Sequence, residues 1–120
     1  MYTFKLSKRT MIGKRKLSNS ECDSIIIVYE NNDIYDGCIK SNKKMGEGVY
    51  TYSNGDVYEG HFVDDKKHGT GVFTSHSTGR KYYGMWKNDK MHGHGVMTSK
   101  KEKYAGQWNN GKLICKNKAL

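Results

Sequence analysis

The chain repeats one phrase four times. Tyr58-Glu59-Gly60-His61-Phe62 is followed by Lys66-Lys67-His68-Gly69-Thr70-Gly71. Upstream stand Tyr35-Asp36-Gly37-Cys38-Ile39 and Lys43-Lys44-Met45-Gly46-Glu47-Gly48, and downstream Tyr82-Tyr83-Gly84-Met85-Trp86 and Lys90-Met91-His92-Gly93-His94-Gly95. A fourth copy opens at Tyr104-Ala105-Gly106-Gln107-Trp108. The leading tyrosines are 23, 24 and 22 residues apart, and in the first three copies the Gly-x-Gly pair trails the Tyr-x-Gly glycine by 9. The one-residue drift falls between copies, where Ser75-His76-Ser77-Thr78-Gly79 replaces Ser53-Asn54-Gly55. Loops tolerate such insertions and strands do not. A fixed period means one small unit stacked on itself. Such a stack offers an extended surface rather than one deep pocket, which argues against an enzyme.

The residues of one copy predict a β-hairpin. In Asp56–Val63, Tyr58, Gly60 and Phe62 share a face at period two. Asp64–His68 is polar and predicts a loop, and Gly69–Thr74 is β-branched and aromatic and predicts a second strand. Asn54-Gly55-Asp56 is a turn signal joining one hairpin to the next. The hairpins should therefore follow one another as an antiparallel meander in an all-β chain. Glycines inside strands need a reason, and close approach supplies one: Gly60, Gly69 and Gly71 leave a trough for Tyr58, Phe62 and Phe73. The same set recurs as Tyr35, Gly37, Ile39, Gly46, Gly48 and Tyr50, and again as Tyr82, Gly84, Trp86, Gly93, Gly95 and Met97.

Length and composition bound the rest. At 120 residues this is one domain at most. Fourteen glycines, no proline and few aliphatics leave the apolar mass to nine Tyr, three Phe and two Trp. Rings bury large areas, so a thin ring-packed core is feasible. Of the formal net charge of +9, six units come from Lys5, Lys8, Arg9, Lys14, Arg15 and Lys16 within the first 20 residues, which hold no acid. Residues 1–23 are expected to be a flexible basic tail, attractive to an anionic membrane surface, nucleic acid or an acidic protein patch, or simply solubilising. Ile26 to Ile34 matches Val49 to Val57 and predicts a degenerate half repeat, residues 24–34, serving as a cap. Repeats are expected at 35–57, 58–81 and 82–103, a partial one at 104–115, and a short tail at 116–120. The N-terminus lacks the apolar run of a signal peptide, and Tyr2 excludes N-myristoylation. Three cysteines, Cys22, Cys38 and Cys115, are an odd count at unrelated positions. They point to lone buried thiols in a reducing, cytoplasmic compartment.

The pattern resembles the MORN repeat, roughly Y-x-G-x-[WF] followed by G-x-G and a Gly/Asp turn. The match covers residues 35–111 well. It departs at Ile39 for the aromatic, at Met45 for the histidine, and after Trp108, where the Gly-x-Gly pair is missing and Cys115 stands where glycine is expected. The resemblance implies an elongated, twisted single-layer sheet of hairpins, non-catalytic in itself. Such modules occur in cytoskeletal and ciliary scaffolds, in proteins tethering membranes, and beside catalytic domains. Lipid binding has been proposed for the family, and dimerisation through terminal repeats occurs, so a homodimer is one expectation.

No catalytic or cofactor chemistry is expected. His68 and His92 occupy equivalent places two strands apart, about 10 Å, too far to share a metal at about 2 Å per bond. His92 and His94 lack a third ligand nearby. Asp36 and Glu59 recur only because the unit recurs, and general acid/base work needs a shared cleft. The Gly-x-Gly pairs sit in strands rather than before a helix, so they are not phosphate loops. The pattern rings, Tyr104, Gly106 and Trp108 included, are read as structural, and the off-pattern Tyr52 and Tyr83 as candidate partner contacts. A protein-binding scaffold is the leading reading. A lipid adaptor held by the basic tail and a small nucleoprotein subunit are the alternatives.

Overall fold

A computed structural model describes the backbone of residues 4–6, 9–16 and 22–119, and side chains from 22 to 117. Its strands are β1 (Phe4–Leu6), β2 (Arg9–Lys16), β3 (Asp23–Tyr29), β4 (Ile34–Lys40), β5 (Lys43–Thr51), β6 (Val57–Val63), β7 (Lys66–Thr74), β8 (Lys81–Lys87), β9 (Lys90–Thr98), β10 (Lys103–Asn109) and β11 (Lys112–Ala119). They form one antiparallel sheet in chain order. No strand is shared between units, so the architecture is the all-β meander of hairpins expected from the repeat. Its extents are 50 × 30 × 22 Å.

Each copy is one hairpin, β4–β5, β6–β7, β8–β9 and β10–β11. Its turn is shorter than the polar run suggested. Only Asp64 and Asp65 form it, with φ of 49° and 70°. Ser41-Asn42, Asn88-Asp89 and Asn110-Gly111 repeat the pair of positive φ values. This is the two-residue turn whose twist matches that of the flanking strands, and Asp, Asn and Gly are the residues that tolerate it. Lys66, Lys67 and His68, expected in the loop, therefore begin β7.

A bulge follows. Gly60 pairs with Gly71 and Phe62 with Lys67, so His61 alone faces three residues, His68 to Thr70. Cys38 and Met85 sit at the same offset in β4 and β8. The bulge explains one glycine of each pair differently from the trough. Gly46, Gly69 and Gly93 adopt φ of +66°, +83° and +91°, and a Cβ there would meet only the side chains of Cys38, His61 or Met85, at ordinary contact distance. They serve backbone conformation, not ring clearance.

Two boundaries move. The backbone of Arg9–Lys16 pairs with β3, and that of Phe4–Leu6 pairs with β2, so these parts of the expected tail lie on the sheet. Main-chain bonds along the edge of β3 do not depend on which side chains face them, so a basic composition does not forbid the pairing. β11 runs on to Ala119, pairing with Tyr104, and takes in most of residues 116–120. The cysteine reading is corrected as well. Cys22 and Cys38 are joined in a disulfide, Cα atoms 5.5 Å apart, and Cys115 is exposed rather than buried. Cys38 pairs with Ser24, two residues from Cys22, so the register makes them diagonal neighbours. A separation of 16 residues carries no hint of this.

Candidate functional site

The two faces of the sheet are made of different chemistry. On one face Tyr35, Tyr58 and Tyr82 are fully buried, with Phe62, Trp86 and Trp108 beside them. Their rings form a zigzag of edge-to-face contacts: Tyr35 to Phe62 at 5.3 Å, Tyr58 to Phe62 at 5.1 Å, Tyr58 to Trp86 at 5.2 Å, and Tyr82 to Trp108 at 5.0 Å. Three of these four links cross between neighbouring copies and the Tyr58–Phe62 link lies within one strand, so the core is a ladder of rings rather than a globule. The glycines opposite make it fit. A Cβ on Gly48 would stand 2.5 Å from the Tyr35 ring, and Cβ atoms on Gly71 and Gly95 would collide with Tyr58 and Tyr82.

Buried hydroxyls need partners. Tyr35 donates to the Cys38 carbonyl at 2.6 Å, Tyr58 to that of His61 at 2.8 Å, and Tyr82 to that of Met85 at 2.9 Å. The acceptors are the bulge residues, so the bulge and the ring specify one another. Trp86 Nε1 donates to the Gly71 carbonyl at 3.1 Å. Burial pushes the Tyr82 hydroxyl up to about 12 and raises those of Tyr35 and Tyr58 further.

A second row, half buried, runs beside the first: Tyr29, Tyr50, Tyr52 and Phe73, with centroids 5.8, 4.7 and 6.0 Å apart in turn. Lys44 and Lys67 lie between the rows. Lys67 Nζ is 5.2–5.7 Å from the centroids of Tyr52, Tyr58, Phe73 and Trp86. Desolvation lowers its pKa, while Asp89 works the other way. Asp33 is buried and takes Tyr50 Oη at 2.7 Å and the Ser53 amide at 2.8 Å. Burial alone would raise its pKa, but these bonds outweigh it and hold the carboxyl below its ordinary value.

Neighbouring hairpins are also clipped together at their turns. Asp65 Oδ1 accepts the Lys44 amide at 2.8 Å, and the Asp65 amide donates to the Lys44 carbonyl at 3.1 Å. Asp89 does the same to Lys67, at 2.8 and 3.0 Å. Sequence reading missed these clamps. The signal was an aspartate at the second turn position of two copies.

The opposite face is open. It carries the residues alternating with the rings, among them Tyr83 at 57 % exposure, Met85 at 41 % and Val63 at 51 %. Tyr83, Met85, Thr70, His94, Val96 and Ala105 line a shallow dip of about 370 Å³. The structure therefore separates the two candidate contacts. Tyr52 packs in the ring rows, its hydroxyl pushed up to about 12 by burial, while Tyr83 projects from the other face. Of the basic candidates, Lys8 lies outside the described residues. Lys5, Arg9, Lys14, Arg15 and Lys16 have their backbone in β1 and β2.

Among the described residues no three His, Cys, Asp or Glu gather closely enough for a metal. Val49 stands between Asp36 and Glu59 in the pairing, which puts the two carboxylates two strands apart. His61 pairs with Glu47 at 2.7 Å on the open face. His92 Nδ1 accepts the Asn110 amide at 3.3 Å. Among the described residues no helix is long and apolar enough to cross a membrane.

Two comparisons bear on this geometry. The model of one family, described as MORN repeat, matches residues 35–57, 58–80, 82–101 and 104–113, more than half of the chain. No curated protein matches it significantly in sequence.

Proposed function

This chain belongs to the MORN repeat family, and we propose that it works as a non-catalytic scaffold that binds a protein partner on the open face of its sheet. The family is generally non-catalytic and occurs in scaffold or membrane-associated proteins. The observation that carries the reading is the asymmetry of the two faces. One buries its rings under the chain's own lysines and glycines. The other leaves Tyr83 and Met85 exposed around an apolar dip, the composition of an interface centre rather than of an ordinary surface.

Co-purification from the native cell tests it. A partner should remain with the full chain at near-stoichiometric yield and be lost with Tyr83→Ser/Met85→Ser. A chain recovered as a free monomer, or a partner retained equally by the variant, overturns the reading.

A further inference from the structure

The hairpin ends carry a feature that neither the ring ladder nor the open dip uses. Next to the turn of each hairpin, one residue pair faces the rings and the following pair faces the open side. Ile39 pairs with Lys44 on the ring face, and Lys40 with Lys43 beyond it. Phe62 pairs with Lys67, then Val63 with Lys66. Trp86 pairs with Met91, then Lys87 with Lys90. Trp108 pairs with Leu113, then Asn109 with Lys112. By alternation the outer pairs lie on the face of Tyr83 and Met85. Lys40, Lys43, Lys66, Lys87, Lys90 and Lys112 are all exposed. At two strands per hairpin these groups recur about every 10 Å along one margin of the sheet.

Among the described residues none of these lysines is held in an ion pair. Among the described residues the ion pairs are Lys44 with Asp65, His61 with Glu47, and Lys116 with Glu102. Of the turn acids, Asp65 and Asp89 each turn a carboxylate oxygen to an amide of the preceding hairpin. Two hairpins place like charges directly opposite, Lys40 against Lys43 and Lys87 against Lys90, an arrangement that destabilises a sheet. A local choice that works against the fold points to a use outside it.

We propose that this lysine margin binds an acidic protein segment whose carboxylates recur about every 10 Å and whose apolar side chains enter the neighbouring dip at Tyr83 and Met85. The inference deepens the scaffold reading and rests on it. The same face carries exposed Glu59 and Asp36, and Asp64 sits in a turn between the lysine groups. A continuous polyanion, a nucleic-acid backbone or a lipid headgroup layer, would meet those carboxylates at close range. A partner with separated acids can avoid them. One heptad of α-helix rises about 10.5 Å, so acids at every seventh position keep step with the hairpins.

The test uses the full chain, a labelled helical peptide of about three heptads with Glu at every seventh position and Leu between, and a scrambled version of it. Variants are Lys40→Gln/Lys43→Gln/Lys87→Gln/Lys90→Gln and, separately, Tyr83→Ser, each confirmed as folded by melting. The ordered peptide should bind at least tenfold tighter than the scrambled one, weaken at high salt, and lose at least tenfold on the quadruple change. If Tyr83→Ser weakens binding and the quadruple change does not, the margin is not the acidic-segment site while the open-face reading stands. If neither changes binding, or the peptide does not bind, both fail for this partner class. Tighter binding of phosphatidylserine vesicles or single-stranded RNA than of the peptide, lost in the quadruple variant, overturns the proposal in favour of that occupant.

Discussion

The second and third copies and the fourth begin with the same Tyr-x-Gly and end differently. In β6–β7 and β8–β9 the tyrosine lies over a glycine of the facing strand, donates to the bulge carbonyl and meets its aromatic neighbour edge to face. In β10–β11 the facing glycine is gone, because Gly106 pairs with Lys116. Tyr104 then stacks on Trp108 at 6.3 Å with planes 15° apart, and Lys116 covers it at 4.3 Å. The pairing slips twice along this hairpin instead of once. The unit is thus not specified by its rings alone. Glycine on the facing strand decides whether the tyrosine turns into the sheet or lies flat against it.

That contrast can be broken most severely at Gly71. Gly71→Val puts two methyls into the space of the Tyr58 ring and should cost about 3 kcal/mol or more. For a domain of this size that lowers Tm by roughly 12 °C. Melting within a few degrees of the parent would remove the ring-clearance account.

Next in size is the response to alkali. The Tyr35, Tyr50, Tyr52, Tyr58 and Tyr82 hydroxyls are all raised above their ordinary 10.0. Groups raised in the folded state stabilise fully below the unfolded value and lose that contribution as pH rises through the folded one. Denaturant stability should hold up to about pH 10 and then fall steeply. Tyrosinate absorbance from these five side chains should appear together with unfolding rather than before it. Gradual ionisation of these five in a still-folded chain would contradict the buried ladder.

Smaller and more discriminating is a pair of hydroxyl deletions. Tyr58→Phe removes the donor to His61 and should cost about 1 kcal/mol by chemical denaturation. Tyr104→Phe should cost less than half of that, because its ring is stacked outside the trough. Equal losses would mean that the fourth copy packs like the others. A last change, Lys67→Met, gives the second copy the residue of the third, Met91. The change should lie within about 1 kcal/mol of the parent, since it removes a desolvated cation and keeps the stem over the rings.

The sequence displayed what is periodic and hid what depends on register. Ring positions, the order of hairpins and the clearance at Gly60 and Gly71 follow from alternation at a fixed period. Lys66–His68 did not read as strand because composition cannot separate a two-residue turn from a five-residue loop. The positive φ of Gly69 stayed hidden because both glycines of a pair look alike until the bulge is known. Cys22 meets Cys38 only once β3 and β4 are in register. The pairing of β2 rests on main-chain bonds that charge does not report. Tyr52 and Tyr83 seemed equivalent as off-pattern rings, yet one follows the end of β5 on the ring face and the other stands inside β8 on the open face.

The turn clamps give the sheet a direction. Asp65 grips the hairpin before it, and Asp89 the one before that turn, while the larger interstrand contacts join sequential neighbours. Under tension between its two ends such a molecule has no single point of failure. Hairpins should peel away one after another as separate force events, and on relaxation they should return in the order in which each clasp finds the unit it closes on.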